Sequence, residues 1–137
     1  MEPTEYAAVT EILATAKNIA VVGLSSNPYR SSFGVSQSLQ ESGYRVIPVN
    51  PNEKEVLGEK AYARLEDIPE KIDIVDIFRR SEYVSDIVDS AIRVGARAIW
   101  MQEGVEDAAA AERARRAGIF VAMDRCIAKD LWLRRKK

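Results

Sequence analysis

Three observations predict an α/β chain: a doubly wound, mostly parallel sheet of five or six strands with helices on both faces. Short runs rich in Val and Ile recur along the 137 residues. Within them apolar and polar residues do not alternate, which suits strands covered on both sides. Between them lie stretches with helical spacing, three of which stop at Gly before the next apolar run, as an αβ unit does when it turns back to its sheet.

In chain order, a leading helix over residues 4–17 precedes a first strand, Ile19-Ala20-Val21-Val22-Gly23-Leu24. Residues 33–41 form a helix after Ser31 and Ser32 as caps and stop before Gly43. Val46-Ile47-Pro48-Val49 is the second strand. Residues 51–69 are the least regular, broken by Pro51, Gly58 and Pro69, and a short edge strand near 60–63 fits the third position of a doubly wound sheet. Ile74-Val75-Asp76-Ile77-Phe78 follows, then a helix over 82–94 between Ser81 and Gly95. Ala98-Ile99-Trp100-Met101, a helix over 107–117 ending at Gly118, and Ile119-Phe120-Val121-Ala122-Met123 complete the alternation. Asp124 is placed to cap a closing helix over 126–135. With no repeat, low-complexity tract or linker, one domain spanning residues 1–137 is the expectation.

Composition excludes several chemistries. The chain has no His, so a Ser-His-Asp or Cys-His pair, a phosphohistidine relay and a His-ligated metal are all out of reach. A single cysteine, Cys126, allows neither an internal disulfide nor a Cys cluster for zinc or iron-sulfur, which points to a reducing, cytoplasmic setting. With 20 basic against 21 acidic residues no global field recruits nucleic acid or an anionic membrane. The basic run Arg134-Arg135-Lys136-Lys137 reads as a solvated helix end. Glu2 and Glu5 near the start, and uncharged stretches too short for a span, fit neither a signal peptide nor a transmembrane helix.

Ligands of open parallel sheets bind outside the carboxyl ends of the strands, where strand order reverses. The loop to search is therefore Gly23-Leu24-Ser25-Ser26-Asn27-Pro28-Tyr29-Arg30-Ser31-Ser32-Phe33. Its small and hydroxyl residues, Arg30 and the helix N-terminus behind it make an anion site suited to a phosphate or pyrophosphate. An ordinary capped turn is the alternative, and the loop's polarity and length weigh against it. Ser25 and Pro28 stand where the GxGxxG dinucleotide fingerprint needs glycines, and Asn50-Pro51 ends strand two where NAD sites place a carboxylate. A third loop, Phe78-Arg79-Arg80, offers an apolar surface for an adenine and two phosphate partners, unless the arginines are solvated or paired with Glu82 and Asp86.

With these loops in view the sequence resembles the small stand-alone CoA-binding proteins, related to the N-terminal CoA-binding domain of succinyl-CoA synthetase α subunits and ADP-forming acyl-CoA synthetases. The resemblance rests on Val21-Val22-Gly23-Leu24-Ser25-Ser26-Asn27-Pro28, Ile47-Pro48-Val49-Asn50-Pro51, Asp73-Ile74-Val75-Asp76-Ile77-Phe78-Arg79-Arg80, Ile99-Trp100-Met101-Gln102 and Asp124-Arg125-Cys126. It implies a Rossmann-like fold with coenzyme A or acyl-CoA across the strand ends. The phosphates then lie near Gly23, Leu24, Ser25, Ser26, Asn27, Arg30, Ser32 and Phe33. Asn50, Pro51, Phe78, Arg79 and Arg80 border the adenosine, and Gln102 and Gly104 stand as further candidates toward the thiol. The synthetase α subunits carry a phosphorylated histidine in a second domain, so this chain cannot run that relay by itself.

Two further groups attract attention. Cys126 follows Asp124-Arg125 at a helix start, where the dipole and Arg125 favour thiolate and a mixed disulfide with CoA; the alternative is a small buried packing residue. Asp73 and Asp76, three apart on a strand, point to opposite faces, so packing or helix-end contacts suit them better than joint acid/base work. Trp100 and Trp132 read as core or interface anchors.

The expected function is binding of CoA or acyl-CoA without resident catalysis. The rivals are an accessory subunit of an acyl-CoA synthetase, completed by a partner chain, and an NAD(P)-linked enzyme. A homodimer through the outer helices is conceivable from the sequence.

Overall fold

The computed structural model describes residues 3–135. Helix α1 (Pro3–Thr15) leads into β1 (Asn18–Val22), then α2 (Ser31–Glu41) and β2 (Arg45–Val49). A small hairpin, β3 (Glu55–Val56) and β4 (Glu59–Lys60), precedes β5 (Ile74–Ile77) and α3 (Val84–Val94). The chain closes with β6 (Ala98–Met101), α4 (Ala108–Arg116), β7 (Phe120–Met123) and α5 (Ile127–Arg135).

The five long strands form one parallel sheet in the order β2-β1-β5-β6-β7. The order reverses between β1 and β5, as the doubly wound expectation requires. The anticipated third strand is reduced to a single parallel bridge, Val49 with Tyr62, on the outer edge of β2. Residues 55–60 instead pair with each other, because the turn at Leu57-Gly58 folds the segment back on itself.

Alternation along the buried strands sends side chains to two apolar layers. Ala20, Val22, Val75, Ile77 and Ile99 pack beneath α3 and α4. Ile19, Val21, Ile74 and Trp100 pack beneath α1, α2 and α5. Among the helix ends, Gly95 takes the left-handed conformation, φ 73°, that closes α3. Asp107 caps α4 by accepting from the Ala110 N–H at 3.0 Å.

Helix α5 begins at Ile127, one residue later than anticipated, and Asp124 does not cap it. The Asp124 backbone is left-handed, φ 57°, and its carboxylate accepts instead from the Gly104 N–H at 2.7 Å. The basic tail is not simply solvated either: the Arg134 guanidinium lies 4.2 Å from the Tyr6 ring centroid and donates to Thr10 Oγ1 at 2.7 Å, fastening α5 to α1. Lys136 and Lys137 lie outside the described residues. Trp100 is a core residue that donates to Asp130 at 3.0 Å, while Trp132 is about half exposed. Among the described residues no helix is long and apolar enough to cross a membrane.

Asp73, just before β5, and Asp76 within it do separate jobs. Asp73 accepts from the Lys17 and Asn18 N–H groups at 2.9 and 3.0 Å, fixing the entry to β1. Asp76 is fully buried between Val21 and Trp100 in register, and neither of its carboxyl oxygens has a hydrogen-bond partner. Burial pushes its carboxyl well above the ordinary range, so the folded chain keeps a proton that the unfolded chain releases. Folding is then favoured less as pH climbs above the ordinary carboxylate pKa of about 3.9 toward the raised folded value. Asp76→Asn, which cannot ionise, removes this penalty. Relative to wild type it is expected to gain stability progressively as pH rises above the ordinary carboxylate range. Urea unfolding midpoints between pH 4 and 8 measure this, and parallel curves for the two proteins would contradict it.

Candidate functional site

The carboxyl ends of the strands gather the loops singled out by sequence. At the centre, Gly23 leaves β1 with φ 89°, and its N–H donates to the Val49 carbonyl of β2 at 2.8 Å. On the other side Phe78 N–H donates to the Val22 carbonyl at 2.8 Å. A Cβ at position 23 would stand 2.4 Å from the Phe78 carbonyl oxygen, so the residue is Gly for space as well as for φ.

The following loop is built by its own side chains. Ser25 N–H donates to Ser32 Oγ at 3.1 Å, Asn27 N–H to Ser25 Oγ at 3.0 Å, and Tyr29 N–H to Asn27 Oδ1 at 2.9 Å. Ser26 N–H donates to Glu53 Oε2 at 2.7 Å. Asn50 clamps the base of the loop, donating from Nδ2 to the Leu24 carbonyl at 3.1 Å while its Oδ1 accepts from the Asn52 N–H. Leu24 is buried beneath. Arg30, exposed, is the N-cap residue of α2, and its donor-only side chain supplies no cap hydrogen bond. Phe33 packs against the α1, α2 and α5 layer.

Two cavities flank this loop on opposite faces of the sheet. The larger, about 480 Å³, is lined by Pro51, Arg64, Glu66, Arg79, Tyr83 and Arg93 among others. The smaller, about 190 Å³, is lined by Ser31, Val35, Phe78, Gln102, Val105 and Cys126, with Glu103. Phe78 and Arg79, expected to border one end of a ligand together, therefore line different cavities, at the bend where the chain leaves β5.

The arginines differ in availability. Arg93 donates to Glu66 at 2.9 and 3.1 Å, and Arg64 pairs with Asp67 at 3.4 Å. Burial works to raise the Glu66 carboxyl, but its own backbone hydrogen bond, Arg93 and Ser90 outweigh it and hold it below the ordinary value. Arg80 is exposed and pairs with Glu82 at 3.7 Å, the alternative to phosphate binding raised by the sequence. Arg79 lies over the Tyr83 ring, 4.3 Å from its centroid, an orientation that leaves its guanidinium edge for an anion.

At the smaller cavity the side chains have structural partners. Gln102 is buried, and its Oε1 accepts from the Ile127 N–H at 3.2 Å, capping α5. Gly104 is held by Asp124, and Glu103 pairs with Lys129 at 2.9 Å. Cys126 is buried yet lines the cavity wall, so both readings of this thiol keep a foothold. No group of three or more His, Cys, Asp or Glu among the described residues is arranged to hold a metal ion.

The structure thus joins Gly23, Ser25, Ser26, Ser32 and Asn50 in one loop system, Pro51 and Arg79 in one cavity, and Phe78 and Gln102 in the other. Arg80 and Gly104 line neither cavity. Sequence reading missed Glu53 and Tyr83. Tyr83 stands four residues after Arg79, a spacing that was open to inspection; nothing local marks Glu53 as a partner of Ser26.

A five-stranded parallel sheet whose polar first loop sits at the reversal of strand order is a Rossmann-like arrangement. The chain belongs to the CoA binding domain family, whose model matches residues 17–131. It is 42% identical over 127 residues to the uncharacterized protein YneT of Bacillus subtilis (strain 168), covering 93% of this chain and 94% of that one. A solved structure of a hypothetical protein from Pyrococcus horikoshii OT3 superposes with a TM-score of 0.92 at 36% identity, covering 97% of this chain and 96% of that one. The α subunit of the ADP-forming acetate–CoA ligase II of Pyrococcus furiosus is 32% identical over 84 residues, which span 61% of this chain and 18% of that subunit.

The close approach at Gly23 makes a direct prediction. Gly23→Ala places Cβ against a backbone oxygen at an unfavourable φ, and is expected to lower stability by about 1–3 kcal/mol. Chemical denaturation measures it, and an unchanged midpoint would show that β1 and β5 separate freely.

Proposed function

We propose that this chain is a binding module for coenzyme A or acyl-CoA, held across the strand ends, with no catalytic group of its own. The observation that carries the reading is the loop from Gly23 to Phe33, a polar turn at the reversal of strand order, with a cavity lined by Val22 on one side and one lined by Ser31 on the other. The diphosphate lies over Ser25, Ser26 and the mouth of α2, with Arg30 as its cation. The adenosine takes the larger cavity, beside Asn50, Pro51 and Arg79, whose volume suits a nucleoside. The pantetheine arm turns toward Phe78, Gln102 and Gly104. In this arrangement Phe78 meets the arm rather than the adenine, and Arg80 contributes only at the rim.

Family membership supports CoA as the ligand, and the absence of a carboxylate at Asn50 weighs against NAD. A second reading, an accessory subunit whose synthetase chemistry is completed by a partner, is favoured by the stretch shared with the acetate–CoA ligase subunit. Co-purification with an ATP-grasp protein tests it.

Calorimetric titration with CoA, acetyl-CoA, NAD and NADP separates the ligands. CoA is expected to bind best, and a dissociation constant no tighter than about 1 mM, roughly −4.1 kcal/mol, defeats the proposal. Arg30→Ala and Arg79→Ala are each expected to weaken CoA binding by roughly 1.5–3 kcal/mol through loss of a charge-assisted hydrogen bond. No loss in either variant moves the phosphates elsewhere.

A further inference from the structure

The amides of the loop after β1 are satisfied in two different ways. Those of Ser25, Asn27 and Tyr29 donate to Ser32, Ser25 and Asn27, side chains of the loop itself or of the first turn of α2. The amide of Ser26 donates to a group from elsewhere, the Glu53 carboxylate, 27 residues away in sequence and 2.7 Å away in space. Glu53 reaches there from a fixed base: its N–H donates to the Asn50 carbonyl at 3.2 Å, and Asn52 N–H donates to Asn50 Oδ1 at 3.0 Å. A carboxylate thus stands on an amide in the middle of a loop whose other features favour an anionic ligand.

We infer that Glu53 is a resident competitor for this anion position: its carboxylate occupies the Ser26 amide in the empty site and gives it up when a phosphoryl group binds. The inference rests on reading the loop as a phosphate site. The N–H that Glu53 holds is one a phosphoryl oxygen would need, and two anions side by side there repel each other. The Glu side chain can rotate away while the turn at Asn50 keeps its backbone in place. Apparent affinity is then reduced by the fraction of molecules in which the position is already filled. The same competition selects among ligands. A diphosphate making several charge-assisted hydrogen bonds displaces one carboxylate, whereas a singly charged ligand with one such bond gains little by doing so.

The test compares wild type with Glu53→Gln, which keeps shape and acceptor but loses charge, and with Glu53→Ala. Each protein is titrated calorimetrically with CoA, with inorganic pyrophosphate and with pantetheine, which carries no phosphate. Removing the competitor is expected to tighten CoA and pyrophosphate about tenfold, or ~1.4 kcal/mol, and to leave pantetheine unchanged. CoA bound by wild type with no tightening in either variant overturns this inference while leaving the ligand assignment standing. Weaker CoA binding in both variants also overturns it, and makes Glu53 a direct contact to the ligand. Failure of CoA and pyrophosphate to bind any of the three proteins overturns the reading of the loop together with the inference.

Discussion

The narrow passage between Gly23 and the Phe78 carbonyl governs the rest of the structure. Strand β1 is hydrogen-bonded to β2 on one side and to β5 on the other, and both ladders continue to its last residue and beyond, through Gly23 N–H to Val49 and Phe78 N–H to Val22. The chain then has to leave between two neighbours that stay in place, and a space of 2.4 Å at the Cβ position allows only Gly to do so. From here α2 departs to one face and, after β5, α3 departs to the other. The crevice between them exists because the two strands remain together underneath. This backbone contact thereby sits at the place where the polar loops converge and restricts position 23 to Gly.

Balanced overall charge conceals an uneven local distribution. Around the larger cavity most charges neutralise one another: Arg93 with Glu66, Arg64 with Asp67, and Asp89 with Arg113 at 2.9 Å. Such exposed pairs add little stability, about 0–1 kcal/mol each, yet they lower the charge that a ligand would meet. Arg79 stands apart, stacked on Tyr83. A cation presented this way carries its field into the cavity without a carboxylate partner to compete for it. A net charge of −1 is therefore compatible with a local attraction for anions.

Much of this was legible in the sequence because the determinants are local. Unalternating Val and Ile runs mark strands buried on both faces, and Gly43, Gly95 and Gly118 mark three helix ends, so element order and parallel pairing follow from short-range patterns. The third strand failed because Leu57-Gly58 turns the chain into a hairpin, leaving Tyr62 alone to bridge β2. At the site, Gly23, Ser25, Ser32 and Asn50 were legible as loop residues, because residue type and position just after an apolar run mark them. What stayed hidden are pairings set by tertiary approach: Glu53 with Ser26, Gln102 with Ile127, and Asp124 with Gly104. Each joins loops whose proximity exists only after the sheet has formed.

These late pairings prepare the two sides of the crevice differently. Around the smaller cavity, Gln102, Glu103 and Gly104 are each tied to α5 or the turn before it, and that turn is itself fastened by Arg125 to the buried Asp130, which also accepts from Trp100. Breaking the tie of Gln102 to Ile127 or of Asp130 to Trp100 leaves a buried polar group unpaired, so this part of the wall keeps one arrangement, while the Glu103–Lys129 and Gly104–Asp124 contacts are exposed. The loop side is held by contacts of another kind. Its hydroxyl, amide and carboxylate acceptors lie on exposed or half-buried side chains, where water can replace a partner at small cost. Such contacts define a shape for the empty loop without committing it. A rigid wall opposite a replaceable set of acceptors lets a ligand be oriented by one side of the crevice while it exchanges hydrogen bonds with the other.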